Sequence, residues 1–213
     1  VSAPLVTVAS VRPWLTVNLP GLWRAISFAP YRSGDVACDQ IVWREVRDED
    51  LSREFDAIGW LAKEVTDEHA VAMLTSRNVE RFVHHRAVVD DVVVEAVVTV
   101  GLSNAERVGT RRALATGGFG TINVGVAVSS GLTMAARIEA LSIAASARTT
   151  VVLEAGLQVE TGVATGTGTD CIVVASPDGV IGFAGLHTSV GEAVGACVYN
   201  AVSEGVSQWL AER

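Results

Sequence analysis

The sequence predicts an α/β (α+β) fold: one domain, residues 1–213, with a mixed, partly antiparallel sheet packed against helices. Three observations lead there. A chain of 213 residues suits one large domain, or at most two small ones, and no linker composition divides it. Short β-branched apolar runs recur from Trp14 onward, and two long apolar-striped segments lie after Ser129. The turn sequence Ser176-Pro177-Asp178-Gly179 lies between two apolar runs, which predicts a hairpin and so antiparallel pairing.

In chain order, Trp14 to Val17 is a short apolar run bounded by Pro13 and by Pro20-Gly21, and predicts a strand. Trp23 to Phe28 and Ile41 to Val46 predict a second and a third. Asp48 to Trp60 has Leu51, Phe55 and Ile58 at helical spacing. Ala70 to Thr75, Val88 to Val100 and Thr121 to Ser129 predict further strands, the second long enough to be central. Ser129-Ser130-Gly131 offers N-cap residues for a helix from Leu132 to Ala155, with Leu132, Ala136, Ile143, Ala147 and Val151 on one stripe and Gly156 as its stop. Asp170 to Ala175 and Val180 to Ala184 are the two arms of the predicted hairpin. Val190 to Ala211 predicts the last helix, with Val194, Val198, Ala201 and Trp209 facing inward and Asn200, Ser203, Glu204 and Ser207 outward.

Composition excludes several classes of function. Hydrophobic residues make up 49% of the chain, too many for intrinsic disorder. The most apolar run, Val88 to Leu102, is broken by Asp90, Asp91 and Glu95, so no membrane span is expected. No basic-then-apolar leader is legible at the N-terminus, and the expected location is cytoplasmic. A net charge of −8 argues against binding nucleic acid through its phosphates. Cys38, Cys171 and Cys197 are scattered and odd in number, which predicts buried free thiols and neither a disulfide frame nor a zinc knuckle.

Four glycine-flanked polar blocks stand out in this apolar chain: Gly101-Leu102-Ser103-Asn104-Ala105, Gly120-Thr121-Ile122-Asn123, Thr165-Gly166-Thr167-Gly168-Thr169-Asp170 and Gly185-Leu186-His187-Thr188. Each falls at a predicted strand end or loop. Singly, each is ordinary turn chemistry. Jointly they suggest polar tips converging on one pocket. Thr165 to Asp170 is no phosphate cradle: it lacks the Gly-Lys-Ser/Thr ending, and a strand rather than a helix is expected to follow it. Among the histidines, His84 and His85 are adjacent and point to opposite faces of a strand, while His69 sits in an acidic segment. His187, between the expected hairpin and the last helix, is the best general acid or base. No metal-ligand spacing is present, so no protein metal site is expected. Ser189-Val190-Gly191-Glu192 fits a capping box, which assigns Glu192 to capping ahead of catalysis.

These blocks, in this order and spacing, resemble the adenosylcobinamide amidohydrolase family. Ser27 to Gly34 and Leu74-Thr75-Ser76-Arg77 resemble a bacterial branch of it, so the likeness covers most of the chain. The resemblance implies hydrolysis of the amide linking aminopropanol to the corrin ring of adenosylcobinamide, giving adenosylcobyric acid in cobamide salvage. It also implies a small-molecule corrinoid partner and no cofactor. A homo-oligomer is compatible with it. One departure is visible. The family usually carries a Glu in the block that here reads Ala145-Ser146-Ala147-Arg148-Thr149, where Ser146 takes its place. That leaves open a non-catalytic corrinoid binder or an amidohydrolase for another amide.

Amide hydrolysis needs an activated water or nucleophile, an acid for the leaving amine and donors for the oxyanion. The expected catalytic residues are His187 and Asp170 as an acid–base pair, with Thr169 as a candidate nucleophile. Ser103, Asn104, Asn123, Gly166, Gly168 and Arg148 are the expected substrate-binding residues.

Overall fold

The computed structural model describes residues 3–47, 56–110 and 120–212. Strands β1 (Thr7–Val11), β2 (Trp14–Ser27) and β3 (Gly34–Glu45) lead into helix α1 (Ala57–Glu64) and strand β4 (Ala70–Thr75). Strands β5 (Val83–Val89), β6 (Val92–Val100), β7 (Ala105–Glu106) and β8 (Ile122–Val128) follow, then helix α2 (Met134–Glu154). Three two-residue strands, β9 (Gln158–Val159), β10 (Gly162–Val163) and β11 (Gly166–Thr167), precede β12 (Cys171–Ser176) and helix α3 (Ser189–Ala211).

The main sheet has eight strands in the order β4-β3-β2-β12-β8-β6-β5, with β1 on the remaining edge of β2. It is mixed, as the sequence predicts. β3 with β4 and β8 with β12 are parallel pairs, and β2 with β3, β2 with β12, β6 with β8 and β5 with β6 are antiparallel. Strand alternation divides the core in two. Val94, Val98, Val100, Val124, Val126, Ile172 and Val174 face α2 and α3. Val97, Ala127, Val173 and Ala175 face the other way and meet Leu15, Ile41, Trp43, Val71 and Met73.

That second core exists because the sheet rolls on itself. Trp43 on β3 packs on Gly125 of β8, although β2 and β12 separate these strands. In a flat sheet three strand spacings hold them roughly 14 Å apart. A Cβ at position 125 would stand 2.6 Å from Trp43 Cη2, so only glycine admits the indole there. At the same rolled edge, Asn123 on β8 donates from Nδ2 to the carbonyl of Leu74 on β4 at 2.6 Å. Glu95, 2% exposed on this inner face, accepts from the amide of Leu5 at 2.8 Å and from Arg86 Nη1 at 3.1 Å, and lies 3.0 Å from His84 Nε2. A carboxylate is tolerated at that depth only because these partners replace its water.

Several boundaries differ from the sequence expectation, each for a local reason. The runs Trp14–Val17 and Trp23–Phe28 belong to one 14-residue strand whose register shifts between Asn18 and Trp23, where Pro20 and Gly21 sit. The third strand begins earlier, at Gly34, than Ile41. Val88 to Val100 is not one strand but the end of a hairpin: Asp90, at φ +52, and Asp91 turn the chain between β5 and β6. Residues 48–55 of the helix expected at Asp48 to Trp60 lie outside the described residues; α1 itself starts after Asp56, which caps Gly59 N, and buries Leu61 while Ile58 is exposed. Thr133, not Ser129-Ser130-Gly131, caps α2. Val180 to Ala184 does not return as a hairpin arm, because β2 and β8 already occupy both edges of β12. The segment instead crosses to the start of α2, where Thr133 N donates to Ile181 O at 3.0 Å. Thr188, not Ser189, caps α3, so Glu192 is not the third residue of a capping box. His84 and His85 do point to opposite faces, toward Glu95 and Glu204.

All three cysteines are free and buried. Burial pushes each thiol up from 9.0 to about 12. Native protein at pH 8 should therefore be inert to a chromogenic disulfide reagent, and denatured protein should react fully. The sign of the pH effect follows: above pH 9 the unfolded chain loses thiol protons that the fold retains, so stability falls as pH rises toward 12. Urea midpoints at pH 8 and pH 10 test this, and the fall should be smaller in a Cys38→Ala variant. Gly125→Val should cost about 1–3 kcal/mol by forcing Trp43 out of its place, read as a lower midpoint in the same titration.

Candidate active site

Two poles of the sheet carry the polar blocks. At the first, β8 and β12 begin. Asp170, just before β12, accepts from Ile122 N at 2.9 Å, from Thr167 N at 2.8 Å and from the Thr167 hydroxyl. Its Oδ2 also takes the Nη1 of Arg148, projecting from α2. Four donors leave this carboxylate no open acceptor direction of consequence. Gly166 lies against the pair: a Cβ there would stand 2.4 Å from Arg148 Nη1 and 2.5 Å from Asp170 Oδ2. Burial pulls the Arg148 guanidinium below its ordinary value.

The neighbouring loops tie into this clamp. Gly166 and Thr167 pair with Glu106 and Ala105, and Gly168 N donates to Asn104 O at 3.1 Å. The Thr121 hydroxyl donates to Thr169 O at 2.8 Å and lies 3.1 Å from Asn123 Oδ1. Thr169 and Ser103 are exposed, whereas Asn123 is only 1% exposed and its amide is engaged by Leu74 O. The block Leu74 to Arg77 thus joins this pole, and Arg77 pairs with Glu212 beyond the end of α3, holding that carboxyl below the usual range.

At the second pole β8 and β12 end, and both α2 and α3 begin. Ser189 bonds to Asp90, in the turn that starts β6. Glu139, in the second turn of α2, accepts from Ala184 N at 2.6 Å and so anchors the loop that carries Gly185 to Thr188. Arg137, 2% exposed, donates to Leu132 O at 2.8 Å and to Asp178 Oδ1 at 2.9 Å, fixing the neighbouring Ser176 to Gly179 turn. His187 stands on this framework, exposed and without a hydrogen bond or ion pair among the described residues. With Thr188 as the cap, His187 precedes the cap and Glu192 takes the fourth place of the helix, and no hydrogen bond or ion pair joins their side chains. Glu192 is exposed.

The structure thus gathers Asp170, Thr169, Arg148, Ser103, Asn104, Asn123, Gly166 and Gly168 at one pole and leaves His187 at the other. The expected His187–Asp170 pair is not formed. The seven residues of β8 that separate their surroundings span roughly 20 Å. The cause is topological: the loop after β12 must cross to the start of α2, away from the end at which Asp170 enters the strand. Arg137 and Glu139 brace this pole without having been singled out, and Glu192, weighed above for capping, is exposed near the α3 start. The one signal for the first two was an opposed pair of charges in the otherwise small and apolar start of α2, Met134-Ala135-Ala136-Arg137-Ile138-Glu139. Ser146 and Arg148 lie about 200° apart round α2, so position 146 faces outward, away from the clamp, and a carboxylate there would not reach Arg148. Among the described residues no group of three or more His, Cys, Asp or Glu side chains is gathered to hold a metal ion, and no helix is long and apolar enough to cross a membrane.

Parallel strands whose carboxyl ends meet two helix starts define a ligand-site architecture common to α/β and mixed folds. The chain belongs to the adenosylcobinamide amidohydrolase family, whose model matches residues 4–213, nearly its whole length. No curated protein matches the sequence significantly.

The saturation of Asp170 carries a prediction. Asp170→Asn should destabilise the protein by about 1–3 kcal/mol, because it leaves the part-buried guanidinium of Arg148 without its counter-charge. Chemical denaturation measures this. An unchanged midpoint would assign Asp170 no structural share.

Proposed function

We propose that the protein hydrolyses the side-chain amide joining aminopropanol to the corrin ring of adenosylcobinamide, and that it does so at the pole where α2 and α3 begin. Membership of the family supports the reaction class. The observation that carries the choice of pole is His187: an exposed imidazole without a partner, on a loop anchored by Glu139 at the carboxyl ends of β8 and β12.

In this reading His187 takes a proton from water as the oxygen attacks the amide carbon. The carbonyl becomes an oxyanion, and negative charge forming beside the α3 start is favoured by the helix dipole. Collapse breaks the C–N bond while the imidazolium returns its proton to the leaving nitrogen, giving a carboxylic acid and aminopropanol, and the acid then passes its proton to the amine to leave a carboxylate. Asp170, with its acceptor directions engaged, holds β8, β12 and α2 in register and moves no proton. The cobalt enters with the substrate. The cobamide-salvage role follows from the same family reading, and the three buried free thiols support a reducing, cytoplasmic setting.

Two outcomes distinguish an enzyme from the corrinoid binder that Ser146 in place of Glu would allow. Incubation with adenosylcobinamide should release aminopropanol, detected by chromatography; a spectral change without product would make it a binder. His187→Ala should lower kcat by about 10²–10⁴-fold with an unchanged melting midpoint, since the side chain is exposed. Turnover at the parental rate in that variant would remove His187 from the reaction.

A further inference from the structure

We infer that the outward groove between α2 and α3 is the seat of the corrin ring's amide-bearing edge, an inference that rests on the corrinoid reading above and names where that substrate is held. The groove has a volume of about 420 Å³, within the range of small-molecule sites. Ile143 and Ala147 on α2, Ala196 on α3 and Leu186 supply its apolar lining. Leu186 directly precedes His187, so the groove and the proposed catalytic imidazole share one loop.

The polar groups of the groove select its occupant. Ser146, Thr150, Tyr199 and Asn200 line it, no lining residue carries a formal charge, and the Tyr199 hydroxyl donates to Glu154 Oε2 at 2.6 Å. Ser146 Oγ donates to Ser142 O at 2.9 Å and Thr150 Oγ1 donates to Ser146 O at 2.9 Å. Their protons are thus committed to the helix backbone, and what they offer outward is acceptor oxygen. Asn200 adds a neutral amide. Apolar walls with neutral acceptors fit a neutral ligand that presents methyl groups and primary amide N–H donors. The periphery of a corrin ring has that chemistry. An anionic ligand finds no cation in this lining.

Ala196→Trp fills the groove from an exposed helix position, and Asn200→Ala removes its amide. Each variant is compared with the parent for adenosylcobinamide binding by the corrinoid's visible spectrum, for aminopropanol release, for melting midpoint and for mass in solution by light scattering. Ala196→Trp should raise Kd and KM at least tenfold, and Asn200→Ala should raise both several-fold, with midpoints and mass unchanged and kcat near the parental value. Parental Kd and KM in both folded variants overturns the groove while leaving the hydrolase reading intact. Binding without hydrolysis that Ala196→Trp abolishes supports the groove and overturns the hydrolase reading. Absence of binding in the parent overturns both. A change of oligomeric mass in Ala196→Trp assigns the groove to a second copy of the chain and overturns its role as a corrin seat.

Discussion

The Asp170 carboxylate sets the frame on which both poles depend. One buried acceptor takes two backbone amides, a hydroxyl and a guanidinium, from β8, the Gly166–Thr167 segment and α2. Those elements are distant in sequence, so the bonds act as a cross-link that fixes the parallel pair β8–β12 and the helix lying on it. Fixing the beginnings of the two strands also fixes their ends, six residues on, where α2 starts and the His187 loop crosses. The price is a part-buried ion pair, which is held by saturation: removing either partner leaves the other charge largely shielded from water without its counterpart.

Saturation is also what separates holding from reacting. A group that transfers protons needs one free direction and a reaction partner within reach. Asp170 has no such direction, and Asn123 is buried with its amide on Leu74 O. His187 and Glu192 are exposed and uncommitted. The same glycine-and-polar vocabulary therefore serves two ends of one sheet in two ways, once to close a clamp and once to present an imidazole.

The mixed sheet, the two long helices and the buried thiols were legible because periodicity and composition encode them directly. Val94, Val98, Val124 and Ile172 face the helices by alternation alone. What could not be read was whatever depends on partners remote in the chain. The break at Asp90 looks like an interruption of an apolar run until β5 pairs with β6. Val180 to Ala184 has strand composition, yet both edges of β12 are taken, so no strand can form there. The four polar blocks were visible as chemistry, but their division between two poles follows from strand direction and from the rolling of the sheet, in which Trp43 packs on Gly125 and Asn123 reaches Leu74 O. Arg137 and Glu139 escaped for the same reason: each acts on the loop after β12, more than a strand and a helix away in sequence.

Position 146 shows how such placement changes the meaning of a substitution. Read along the chain, Ser146 sits beside Arg148, and a missing glutamate there suggests a lost ion pair. On α2 the two residues face opposite ways: Arg148 goes inward to Asp170, while Ser146 lines the groove that Leu186 closes. The substitution therefore leaves the clamp untouched and changes an outward-facing position of the groove, where serine offers a neutral hydroxyl in place of a charge.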